Sequence, residues 1–114
     1  MRNRDPRVAL GDALIASEHV TYFLADVTGE EYAANLLLSS AVERQFIVLG
    51  EALSRALKAD SAMLERLPEV QEVIGFRNVL VHGYDAVEDM SVYDLAREDL
   101  PGLMIRIRKL LEEI

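Results

Sequence analysis

Arg77 and His82 are the two side chains of this sequence whose types and spacing best suit joint chemistry. A guanidinium stays protonated and can brace negative charge as it develops, while an imidazole takes or gives a proton near neutral pH. Arg77 interrupts the packing stripe Val70, Val73, Ile74, Leu80 and Val81, in the middle of the apolar arc. A cation there must be paired or must line a water-accessible pocket, since an unpaired buried charge costs several kcal/mol. Glu43 or Glu51 on the preceding long helix could supply the partner. His82 follows five positions later, about 140° around an ideal helix, so the two do not share a face automatically. They could converge through the reach of the arginine, through fraying just before Gly83, or across a two-fold interface. Asn78, four positions before His82, does share its face and could hydrogen-bond the imidazole. Gly83 is suited to end the helix in the left-handed conformation.

Other reactive types are scarce. There is no cysteine, which excludes disulfides and thiolate metal sites. His19, the other histidine, lies mid-helix with no partner pattern and reads as structural or exposed. No compact carboxylate cluster stands out, so neither a metal nor another cofactor is expected.

The elements that must position these residues read as helices throughout, with no sustained strand alternation and no Asn-Gly or Asp-Gly hairpin signal. The first helix is expected over about 6–27, opened by Asp5 and Pro6 and ended by Thr28 and Gly29. Its apolar residues surround most of the axis, which implies contact on two sides. The second is expected over about 30–59, with the stripe Leu38, Val42, Phe46, Leu49, Leu53 and Leu57 and a shorter ridge of Leu36, Ile47 and Val48. Its solvated side carries Glu43, Arg44, Glu51, Arg55 and Lys58. Gly50 in its interior costs about 1 kcal/mol relative to alanine, and close approach of another backbone would explain it. A short helical turn near 61–67 precedes the segment 68–83. A polar loop follows over 84–89, then a short helix over about 90–97. Asp99 to Pro101 cap a last helix bearing Leu103, Met104, Ile107, Leu110, Leu111 and Ile114. The sum is an all-α, antiparallel up-and-down bundle of about four to five helices in one domain, 1–114. Surplus apolar surface on the long helices points to a homodimer.

Composition sets limits. The 114 residues are 51% hydrophobic and 28% charged, as in a folded globular chain. The amino-terminal segment lacks the apolar core of a signal peptide, and no apolar run approaches a bilayer span, so a soluble, cytoplasmic protein with no membrane role is expected. The net charge of −8 weighs against broad nucleic-acid binding, although a local positive site is all that a few phosphate contacts need. Arg2, Arg4 and Arg7 read as a mobile basic arm.

The stretch 76–84, Phe-Arg-Asn-Val-Leu-Val-His-Gly-Tyr, resembles the Arg-x4-His-x-Tyr signature of the HepT-like HEPN proteins. The run 41–52 is similar to the long second helix of that family, and 92–101 to its lead into the final helix. The resemblance implies a dimerising helical bundle that acts as a toxin, cleaving RNA without metal through Arg77 and His82, supported by Asn78 and Tyr84. It also implies an antitoxin partner, a minimal nucleotidyltransferase that transfers AMP from ATP to Tyr84. RNA supplies its own nucleophile in the 2′-OH, and a 2′,3′-cyclic phosphate is the expected product. An alternative within the same resemblance is a non-catalytic subunit that binds such a nucleotidyltransferase.

Overall fold

The computed structural model describes residues 5–83 and 87–113. Among them there is no strand, and the helices are α1 (Pro6–Phe23), α2 (Gly29–Ala33), α3 (Leu36–Ala59), α4 (Met63–Arg66), α5 (Val70–His82), α6 (Asp89–Asp94) and α7 (Leu100–Glu113). The all-α bundle expected from the periodicity is the one observed. No helix among the described residues is long and apolar enough to cross a membrane.

Local chemistry sets the boundaries. The Asp5 side chain accepts from the backbone N–H of Arg7, and Pro6 occupies the first turn of α1, where its missing N–H is no loss. The Arg7 guanidinium also pairs with Asp5, so this arginine belongs to the start of α1 and not to a mobile arm. Arg2 and Arg4 lie outside the described residues. α1 stops at Phe23, several residues before Thr28. Thr28 does not end a helix. It starts one, in a capping box where its hydroxyl accepts from the Glu31 N–H and the Glu31 carboxylate accepts from its own.

The long second helix of the sequence reading is two helices. Asn35 caps α3 by accepting from the Leu38 N–H at 3.0 Å, and this breaks the run after α2. One result is that Leu36 stands 80% exposed instead of forming a ridge with Ile47 and Val48.

α3 is the central element, packed along α1 on one side and against α5 on the other. Its stripe holds Val42, Phe46, Leu49 and Leu53 fully buried, each worth roughly 1.5–3 kcal/mol of transfer free energy. α1 meets it through Leu10, Val20 and the small residues Ala9, Ala13 and Ala16, which let the axes come close. α1 meets α3 along its length and α7 beside it, as in the Arg108–Glu18 pair, while its outer stripe, with Val8, Ile15 and Tyr22, stays exposed.

The chain does not stop between α6 and α7. A π-helical turn, Leu95–Asp99, joins them into one continuous helical run. Pro101 lacks an N–H and its ring would clash with the carbonyl four residues back, and widening the preceding turn removes that conflict. The Leu100 N–H accordingly reaches the Leu95 carbonyl, five residues earlier. The proline expected to begin a new helix is accommodated inside one. Tyr93 and Arg97 both donate to the Val27 carbonyl, tying this run to the segment between α1 and α2.

Candidate functional site

α5 is held on α3 by buried Val70, Val73 and Leu80, and by an edge-to-face contact of Phe76 with Phe46 at 5.5 Å. Arg77, the next residue, also leaves α5 toward α3, where its stem lies against Gly50. A Cβ added at Gly50 would sit 2.4 Å from Arg77 Cβ and 2.7 Å from its Cγ, so only glycine leaves room. The close neighbour that this glycine serves is thus the arginine stem, with the Val73 carbonyl at 3.5 Å beyond it.

The guanidinium is gripped from two sides. Nη2 donates to Glu51 Oε2 at 3.0 Å, and Nη1 donates to Asn78 Oδ1 at 2.8 Å. Of the two carboxylates open to it from the sequence, Glu51 is the one used. Nε is buried, with no acceptor among the described residues. The side chain as a whole is 26% exposed, neither sealed in the core nor free. It opens on a cleft of about 310 Å³ between α3 and α5, lined by Gly50, Glu51, Ser54, Arg55, Lys58, Ile74, Arg77 and Asn78.

Glu43, the other carboxylate, forms no ion pair among the described residues. Burial first, and then the nearby Asp89 carboxylate, push its carboxyl above the ordinary range. Burial likewise pushes the phenol of Tyr32 upward, and its hydroxyl has no hydrogen-bond partner among the described residues.

His82 is the last residue of α5 and its ring is exposed. It has no hydrogen-bond partner among the described residues and does not line the cleft that holds Arg77. The structure therefore brings together Arg77 and Asn78 through the Asn78 oxygen, and no hydrogen bond joins Asn78 to His82 among the described residues. Gly83 ends α5 with its N–H on the Val79 carbonyl at φ −128°, without entering the left-handed region. Tyr84 lies outside the described residues. His19 is exposed as expected, with Nδ1 3.0 Å from Gln45 Oε1.

Ser54, Arg55 and Lys58 were not singled out by the sequence reading, which placed the charged side of α3 in solvent. Their signal was their spacing, with Glu51, Ser54, Arg55 and Lys58 at i, i+3, i+4 and i+7 of one helix face.

An all-helical bundle with a cationic cleft between two helices, and a histidine at the end of one of them, defines the class. The chain belongs to the family described as Ribonuclease HepT-like, whose model matches residues 13–110. It is 32% identical over 105 residues to a provisionally named RNase of Methanocaldococcus jannaschii, covering 90% of this chain and 94% of that one. A second such protein of the same organism is 28% identical over 116 residues, covering 100% of this chain and 97% of the relative. A third, from Caldanaerobacter subterraneus subsp. tengcongensis, is 22% identical over 110 residues, covering 96% and 97%. No solved structure gives a significant match.

Proposed function

We propose that this chain is a metal-independent endoribonuclease, the toxin of a toxin–antitoxin pair, that cleaves RNA with Arg77 and His82. The observation that carries the reading is the placement of Arg77, held by Glu51 and Asn78 at the wall of an open cleft, in a chain of a ribonuclease family.

His82 takes the proton of the 2′-OH, and the 2′-oxygen attacks the adjacent phosphorus. The new P–O2′ bond replaces the P–O5′ bond, the 5′-oxygen leaves and takes a proton from water, a 2′,3′-cyclic phosphate remains, and His82 then returns its proton to solvent. Arg77 braces the phosphate oxygens as their charge grows in the transition state.

The exposed position of His82 suits a site completed by a second copy of the chain. Val79 and Val81, 43% and 37% exposed on the same stretch of α5, supply apolar surface beside it for a homodimer. The partner of the pair is a minimal nucleotidyltransferase antitoxin working with this chain in the cytoplasm. It transfers AMP from ATP onto the Tyr84 hydroxyl with release of pyrophosphate. The added bulk and negative charge, two residues beyond His82, then oppose entry of an RNA phosphate.

The deciding experiment incubates the purified protein with RNA in EDTA. Wild type is expected to cleave and His82→Ala to lose about 10²–10⁴-fold in rate. Equal cleavage by the two proteins removes His82 from the mechanism. Mass spectrometry after co-expression with the nucleotidyltransferase should show added AMP on Tyr84, and an unmodified tyrosine removes that step.

A further inference from the structure

The cleft beside Arg77 extends further than one arginine needs. Along its α3 wall, Glu51, Ser54, Arg55 and Lys58 follow one another over a rise of about 10 Å. Its charged lining comprises Arg55, Lys58 and Arg77 against the single carboxylate of Glu51, in a chain whose net charge is −8. The local balance is therefore positive where the whole is negative. Glu51 is engaged by Arg77, and Arg55 holds Asp12 at 3.0 Å through a half-exposed pair that an entering anion can displace. Lys58, exposed in the last turn of α3, has no ion-pair partner among the described residues. Ser54 adds a hydroxyl donor between these cations.

We infer that this cleft is a phosphate subsite for single-stranded RNA, in which Lys58, aided by Ser54 and Arg55, holds the phosphate next to the one gripped by Arg77. The inference rests on the ribonuclease reading and deepens it. The cleft, about 310 Å³ and open to solvent, leaves room for a phosphate beside the Arg77 guanidinium. Lysine and hydroxyl donors on phosphate carry no base information, so the subsite positions the strand without selecting its sequence. It also explains how an acidic protein can hold RNA, since binding needs only a local cationic track.

The test uses a fluorescent 2′-O-methylated oligonucleotide, whose blocked nucleophile prevents cleavage, and follows binding by anisotropy across a range of salt concentrations. Lys58→Ala should weaken binding and flatten the slope of log K against log salt by about 0.7, the value for one lost single-strand phosphate contact. Lys58→Glu should go further in the same direction. Lys109→Ala, which removes the same charge from exposed α7, should leave the slope unchanged. With cleavable RNA, Lys58→Ala should raise KM and retain kcat. An unchanged slope in Lys58→Ala, with wild type binding and cleaving, overturns the subsite and leaves the ribonuclease reading standing. Equal losses in Lys58→Ala and Lys109→Ala also overturn it, because they report net charge alone. Wild type that neither binds nor cleaves brings down both.

Discussion

Arg77 and His82 share a helix and lie within two turns of each other, yet their surroundings are opposite. The arginine is fixed by contacts that span two helices: a glycine opposite its stem, a carboxylate on α3 and the amide of its own neighbour. The histidine stands exposed at the end of α5, and the described residues offer it no hydrogen bond. In the proposed mechanism the electrostatic half of the site is therefore built by the fold of one chain, whereas the proton-transfer half is only delivered to the surface, where substrate or a second copy of the chain must orient it.

The sharpest way to break this contrast is to truncate each residue in turn. Both Arg77→Ala and His82→Ala should lower RNA cleavage by about 10²–10⁴-fold. Only the arginine variant should also cost stability, about 1 kcal/mol, because its stem packs on Gly50 and its loss strands Glu51. Thermal melting separates them: a drop of about 4–8 °C is expected for Arg77→Ala and none for His82→Ala. A large drop in the histidine variant would mean that His82 is tied into the fold after all.

Gly50→Ala probes the grip on the arginine from the other side. Alanine gains about 1 kcal/mol in helix propensity, but its methyl would sit 2.4 Å from a Cβ on another helix, an overpacking that costs about 1–3 kcal/mol. The net expectation is a protein destabilised by up to about 2 kcal/mol, with cleavage reduced because the guanidinium is displaced. Unfolding in urea together with the EDTA cleavage assay checks both halves. A variant as active and as stable as wild type would show that α5 can shift away at no cost.

How far the sequence reveals this arrangement depends on the range of the forces involved. The α3 stripe, the α7 stripe and the oddity of Arg77 within an apolar arc are periodic signals, and all are visible in one dimension. Gly50 is visible as an anomaly, but its neighbour is not, because the partner lies on a helix 27 residues later. Thr28 and Asn35 are residues that both stop and start helices, and only the hydrogen bonds to Glu31 and Leu38 show that each starts one. Pro101 reads as a break, whereas tertiary packing holds the helix together through a π turn. In the site, Glu51 and Glu43 are equally available on paper. Which of them meets the guanidinium is decided by where Arg77 falls along α3, opposite Gly50, a placement no local pattern encodes.

That choice between carboxylates yields the smallest effect and a clear sign. Glu43 has no ion-pair partner among the described residues, and burial with the neighbouring Asp89 raises its carboxyl above the ordinary value of 4.5. The folded state therefore binds this proton more tightly than the unfolded chain does. Stability contributed by Glu43 falls as pH rises from about the unfolded value through the raised one, and the penalty is complete above it. Glu43→Gln should accordingly melt slightly higher than wild type at pH 7, with the two curves converging as pH falls below the usual carboxylate range. Glu51→Gln should behave oppositely at neutral pH, melting slightly lower because it weakens a half-exposed ion pair. If Glu43→Gln were instead the destabilised variant at pH 7, Glu43 would be the group facing a cation, and the grip on Arg77 described here would have to be redrawn.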